Sequence, residues 1–173
     1  MSGSPEASFG IGFLPLSPER LGLLHGWLQQ PHVRAFWDDG HRELEQVQEH
    51  YFGPDPEAVR FLFTLAGRPA GYLQTYLVGP ESDCAEWRAA TGETWGLDLL
   101  LGAVADTGRG YGPQATLAFV KFWKARRPGL SRLLIDPDVR NLRAVRAYRE
   151  AGFTAVRGSP GPEAVYRMLA LDL

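Results

Sequence analysis

Asp98 stands inside Leu97-Asp98-Leu99-Leu100-Leu101, an otherwise apolar run. A carboxylate in such a place is costly unless it is partnered or put to use. Two uses suit it: holding a cationic group by charge-assisted hydrogen bonds, or accepting a proton as a general base. Other carboxylates gather nearby in the chain. Residues 81–98 carry Glu81, Asp83, Glu86, Glu93 and Asp98 against Arg88, and Asp136 and Asp138 follow a later apolar run, Leu133-Leu134-Ile135. Such a set suits a cationic small molecule. A structural carboxylate paired with arginine or a backbone amide is the plain alternative for Asp98, and a turn-initiating role the alternative for Asp136 before Pro137.

Ten residues past Asp98 comes Gly108-Arg109-Gly110-Tyr111-Gly112-Pro113, after an apolar run and before a helical stretch. Glycines let the backbone close tightly, and the free N–H groups at a helix start point at negative oxygens. That combination is an anion cradle. A third segment, Asn141-x-x-Ala144-x-x-x-Tyr148-x-x-x-Gly152-Phe153, places a polar residue at a helix start, a phenol on the helix, and a glycine at its stop. Arg140, Arg143, Arg146 and Arg149 form a basic stripe on the same segment, readable as a solvated helix face or as a contact for a further phosphate.

The elements that must carry these residues follow from pattern. Strands are expected at residues 9–16, 60–65, 70–78, 95–101, 133–136, 153–157 and 164–171. Helices are expected at 17–28, with Ser17 as cap, Pro18 at its first turn and Pro31 as its stop, and at 43–51, 113–124 and 141–151. Residues 53–56 and 159–162 read as loops. The apolar run at 95–101 is long enough for both faces of its strand to be covered. The order β α α β β β α β α β β gives an α+β fold, a mixed and mainly antiparallel sheet of about seven strands flanked by about four helices. The chain of 173 residues reads as one domain over 1–173.

Taken together, these segments resemble the GNAT superfamily of N-acetyltransferases, from about Leu14 to the C-terminus. The resemblance implies acetyl-CoA as co-substrate. Its pyrophosphate would lie on Thr107, Gly108, Arg109, Gly110, Tyr111, Gly112 and Pro113, and its pantetheine arm on Leu99, Leu100, Leu101, Asn141 and Ala144. Tyr148 would protonate the leaving thiolate. Thr107 departs from the glutamine or arginine that relatives carry there, and Arg109 is the residue expected to supply that charge. Gly96-Leu97-Asp98, Asp136-Pro137, the Asn141–Phe153 segment, Leu24-x-x-Trp27-Leu28 and Gly71-Tyr72-x-Gln74-x-Tyr76 resemble aminoglycoside 6'-N-acetyltransferases. Arg109–Pro113 and Asp136–Asn141 are equally similar to siderophore-biosynthesis acyltransferases acting on a hydroxylysine-type amine, which usually place histidine where this chain has Asp98. Asp98 favours the aminoglycoside class, whose members confer antibiotic resistance. The resemblance implies Asp98 and Tyr148 as catalytic residues; the acceptor is expected on Asp98, Asp136, Asp138, Trp37, Tyr76 and Glu93. A CoA-binding protein without turnover is the reading from outside the enzymes.

Other classes are disfavoured. A net charge of −2 offers no bulk attraction to nucleic acid or an acidic membrane. No apolar run approaches the roughly 20 residues of a membrane span, and a single cysteine, Cys84, allows no internal disulfide. A cytoplasmic enzyme, monomeric or homodimeric, is the expectation. His25, His32, His41 and His50 lack metal-ligand spacing, so no metal is expected.

Overall fold

The computed structural model describes residues 10–53, 58–157 and 165–173. The loop expected at 53–56 and the turn expected at 159–162 fall wholly or mostly outside them, as do the first residues of the first and last expected strands. Seven strands form one sheet in the order β1-β2-β3-β4-β5-β7-β6. They are β1 (Ile11–Pro15), β2 (Ala58–Leu65), β3 (Arg68–Leu77), β4 (Glu93–Leu101), β5 (Leu130–Ile135), β6 (Thr154–Ala155) and β7 (Leu169–Asp172). The β4–β5 pair is parallel and every other pair antiparallel.

Five α-helices occur among the described residues: α1 (Leu21–Leu28), α2 (Pro31–Arg34), α3 (Leu44–Phe52), α4 (Tyr111–Arg126) and α5 (Leu142–Glu150). The expected first helix starts as a 3-10 turn at Pro18–Arg20. Ser17 does not cap it, because its hydroxyl accepts a hydrogen bond from Arg20. Pro31 opens α2 instead of only closing α1, since a proline at the first turn loses no helical hydrogen bond. α3 is closed at its start by a reciprocal pair: the Glu43 side chain meets the backbone of Gln46, and the Gln46 amide oxygen accepts from the Glu43 N–H at 2.8 Å. The β2–β3 hairpin is tighter than expected. Only Ala66 and Gly67, both at positive φ, make its turn.

Alternation along the strands builds two cores. Odd positions of β2, β3 and β4, among them Phe61, Phe63, Leu73 and Leu97, meet Phe119 and Trp123 of α4 and Tyr148 of α5. Even positions Leu62, Tyr72 and Leu100 meet Leu24, Trp27 and Leu28 of α1, Val33 of α2, and Val47 and Tyr51 of α3. β4 is therefore covered on both faces, as its sequence suggested. β4 and β5 pair only from Glu93↔Leu130 to Gly96↔Leu134. Beyond Gly96 the two strands part, while β4 stays paired with β3 through Leu101.

Gly96, at that fork, is a packing requirement. A Cβ there would stand 2.2 Å from the Tyr76 ring, which lies across the strand. Gly96→Ala is expected to cost about 1–3 kcal/mol through this overpacking, read as a lower denaturant midpoint with an unchanged slope.

Candidate active site

The fork leaves the β5-side backbone groups of Leu97–Leu101 outside the sheet ladder, so they need another partner. A cavity of about 370 Å³ lies there, lined by Leu99, Leu100, Leu101 and Thr107 on one side and Asn141, Ala144 and Tyr148 on the other. Phe36 and Trp37 wall it. It continues into a second cavity of about 320 Å³, which adds Gln74, Asp98, Asp136, Asp138, His50 and Tyr51. An outer recess is lined by Gly108, Gly110, Tyr111, Gly112 and Pro113, with Arg143 and Arg146 opposite.

The recess has the features of an anion site. Gly108 and Gly110 hold φ of +73° and +80°, a conformation that glycine adopts without strain. Gly110 caps the 16-residue α4 with no side-chain hydrogen bond, which leaves the helix N-terminal N–H groups for a ligand. Arg109 is exposed and lines none of these cavities. Arg143 and Arg146, on the stripe whose role the sequence left open, are the arginines that line the recess. The Thr107 hydroxyl donates to the Val104 carbonyl, which spends its proton inside the turn.

α5 brings two expected residues together. Asn141 caps the helix, accepting from the Ala144 N–H at 3.1 Å; its amide NH2 remains the donor on the cavity side. Tyr148 is buried against Phe153 and faces both inner cavities. Burial, then the charges of Asp98 and Asp136, push its phenol far above the ordinary tyrosine value. It therefore keeps its proton, the form a proton donor needs.

Asp98 projects from β4 just past the fork. Burial pushes its carboxyl up to about 6, with Asp136 adding to the rise and a hydrogen bond from Gln74 opposing it. A carboxylate poised there is ionised at neutral pH yet basic enough to accept a proton. Asp136 follows β5 on the facing strand, and its carboxyl is also raised, chiefly by desolvation. Four carboxylates, Asp136, Asp83, Asp98 and Glu86, join burial in raising the Cys84 thiol, so the 79–92 loop contributes acid to the same region.

Three expected acceptor residues take other positions or duties. Glu93 begins β4, about 17 Å from Asp98 at strand rise. There it holds Arg127 at 2.7 and 3.1 Å and accepts from the Trp95 indole. Parity also puts it on the opposite face. Tyr76 packs on Gly96 and belongs to the small cluster with Val78, Trp87 and Leu134; it lines neither inner cavity. Asp138 does line the second cavity, but its carboxylate is engaged by Arg140 at 2.6 and 3.0 Å and holds the loop into α5. Phe36, like Trp37, could be read from the sequence as a pocket wall, while Gln74, His32, His50 and Tyr51 entered the lining without being proposed. Gln74 alone had a signal, its place two residues from Tyr72 in a strand that pairs with β4. No cluster of three or more metal-ligating side chains occurs among the described residues, and none of their helices is long and apolar enough to cross a membrane.

The site can be set beside known proteins. The family description "Acetyltransferase (GNAT) domain" matches residues 18–158. The aminoglycoside N(6')-acetyltransferases type 1 of Klebsiella pneumoniae and Serratia marcescens are 30% identical over 139 residues, covering 77% of this chain and 68% of each relative. Solved structures of AAC(6')-Ib superpose closely. One, with paromomycin and acetyl-CoA, gives a TM-score of 0.81 at 26% identity over 94% of this chain and 93% of that one. Another, with coenzyme A and kanamycin, gives 0.80 at 26% over 94% and 95%. The forked sheet, the glycine turn before α4 and the matched span agree: the chain belongs to the GNAT family of acetyltransferases.

Proposed function

We propose that this acetyltransferase moves the acetyl group of acetyl-CoA to a primary amine of a cationic small molecule, an aminoglycoside carrying a 6'-amine being the acceptor class that fits best. The cavity in which Asp98 and Asp136 face each other is the observation that carries this reading. Two carboxylates there favour a polycation over a neutral hydroxylamine-type acceptor. Relatives that the chain matches are aminoglycoside acetyltransferases, which supports the same choice.

Acetyl-CoA fits the described residues on two counts: the open edge of β4 suits a ligand arm with amides, and the glycine turn at α4 suits its pyrophosphate. When bound, it supplies an activated thioester. Asp98 takes the proton from the acceptor ammonium, freeing the nitrogen lone pair. Backbone N–H groups of β4 stabilise charge that develops on the carbonyl oxygen. The Tyr148 hydroxyl donates its proton to the departing sulfur. Asp136 holds the acceptor in place, and Trp37 walls it.

Asp98→Asn is expected to lower turnover by roughly 10²–10⁴-fold while acetyl-CoA affinity, read by calorimetry, stays unchanged. Near-normal turnover would sink the base role. The same variant is expected to melt higher than the parent at pH 8. The folded carboxyl sits at about 6 against an ordinary 3.8, so ionising it costs stability as pH rises between those values. That advantage should vanish below about pH 4, where both states are protonated.

Thiol release across kanamycin-like amines, hydroxylysine-type amines and neutral amines tests the acceptor. Kanamycin-like amines should give the highest kcat/KM, and expression should lower bacterial susceptibility to them. A clear preference for hydroxylysine-type amines would move the enzyme to the siderophore class. Replacing Arg143 and Arg146 with alanine should raise KM for acetyl-CoA about three- to tenfold, as expected for exposed charge contacts. KM for the 3'-dephospho analogue should stay level. An equal rise for both would remove the phosphate contact.

A further inference from the structure

β2, β3 and β4 bring three polar residues into one cross-strand row. Arg60 pairs with Gln74, and Gln74 with Asp98. The next row on the same face, Leu62, Tyr72 and Leu100, is sealed under the helices of the second core. Tyr72 is fully buried there, and its hydroxyl donates to the Gln74 amide oxygen at 2.8 Å. The Gln74 amide NH2 donates to Asp98 Oδ2 at 2.8 Å. The Arg60 guanidinium lies beside the Tyr72 hydroxyl.

Chemistry gives this chain a direction. A guanidinium only donates, so the nearby Arg60 cannot take the Tyr72 proton, which goes to Gln74. Gln74 must then turn its oxygen to Tyr72 and its NH2 to Asp98. Among the described residues, Gln74 is the side chain that hydrogen-bonds Asp98. It lines the acceptor cavity at the place where the sealed row opens.

We propose that Gln74, oriented by Tyr72 and Arg60, is a positioning residue that aims the Asp98 carboxylate at the acceptor amine and keeps it in its ionised, proton-accepting form. This rests on the reading of Asp98 as the base. Without the Gln74 donor, burial and Asp136 act on Asp98 unopposed. The other groups facing Asp98 are Tyr72 and Tyr76 of β3, Cys84 of the following loop, Tyr148 of α5, and His50 and Tyr51 of α3. His50 is the one besides the carboxylates whose ordinary titration range overlaps that of Asp98. The readout must therefore be specific to Asp98.

The test uses Gln74→Met, which keeps side-chain length, and Tyr72→Phe, which removes only the hydroxyl. Two quantities are measured: the pH profile of kcat/KM with kanamycin at saturating acetyl-CoA, and a ¹³C-carboxyl NMR titration with the Asp98 signal assigned through Asp98→Asn. The parent's acid limb and Asp98 signal should both inflect near 6. In Gln74→Met both should move up by about one pH unit, a loss of about fivefold in activity at pH 6 that approaches tenfold at lower pH and fades above pH 8. Tyr72→Phe should move them less, in the same direction, and KM for acetyl-CoA should hold in both variants. An Asp98 that titrates alike in parent and Gln74→Met, with turnover falling evenly at every pH, overturns the positioning role. Near-normal turnover of Asp98→Asn overturns the base reading beneath it, whatever the titration shows.

Discussion

The parting of β4 from β5 is the constraint on which the site depends. Four residues of parallel pairing end at Gly96↔Leu134, and from there β4 has a sheet partner on one side only. Backbone groups on its free edge must be satisfied by something else, and a ligand arm with amides can do so. Every functional element is placed by that fork. Asp98 is the second residue beyond it on β4, and Asp136 the first residue after β5 ends. The glycine turn and α4 follow the end of β4, and α5 follows the loop after β5. Tyr148 belongs both to the main apolar core and to the cavity lining, so core packing itself holds the phenol at the opening.

Low polarity at the fork acts on both Asp98 and Tyr148. Desolvation raises Asp98 into the neutral range, where it is charged yet basic. The same desolvation, reinforced by Asp98 and Asp136, keeps Tyr148 protonated. One environment thus suits both the proposed base and the proposed acid, groups whose ordinary values lie far apart. The arrangement costs stability, since an ionised carboxylate is held where the neutral form is preferred. The Gln74 hydrogen bond is the local offset.

Much of this was legible in the chain. Strand alternation, the Ala66-Gly67 turn, the glycine stop at Gly152 and the apolar run of β4 are local properties, and each of the seven expected strands has its counterpart. Gly108 and Gly110 could be named from the turn their spacing makes, whereas Asn141 and Tyr148 were named through the resemblance of their segment to the family. Glu93 could not be judged that way. Its acidity counted toward an acceptor site, yet its partner, Arg127, lies 34 residues away and only the parallel β4–β5 pairing joins them. Arg109 had the right charge in the right segment, and the turn that frees the backbone N–H groups leaves its side chain in solvent.

By itself the sequence determined the elements, their order, the anion cradle and the presence of a carboxylate in an apolar strand. Those follow from local backbone preference and from side-chain periodicity, which need no knowledge of distant contacts. Tertiary structure alone decided which carboxylates share a cavity and which arginines face the recess at the glycine turn. It also decided which donor holds Asp98, because Gln74, Tyr72 and Arg60 become its neighbours only through strand register. Burial and charge at a site are sums over residues brought together from across the chain, and only the folded sheet performs that sum.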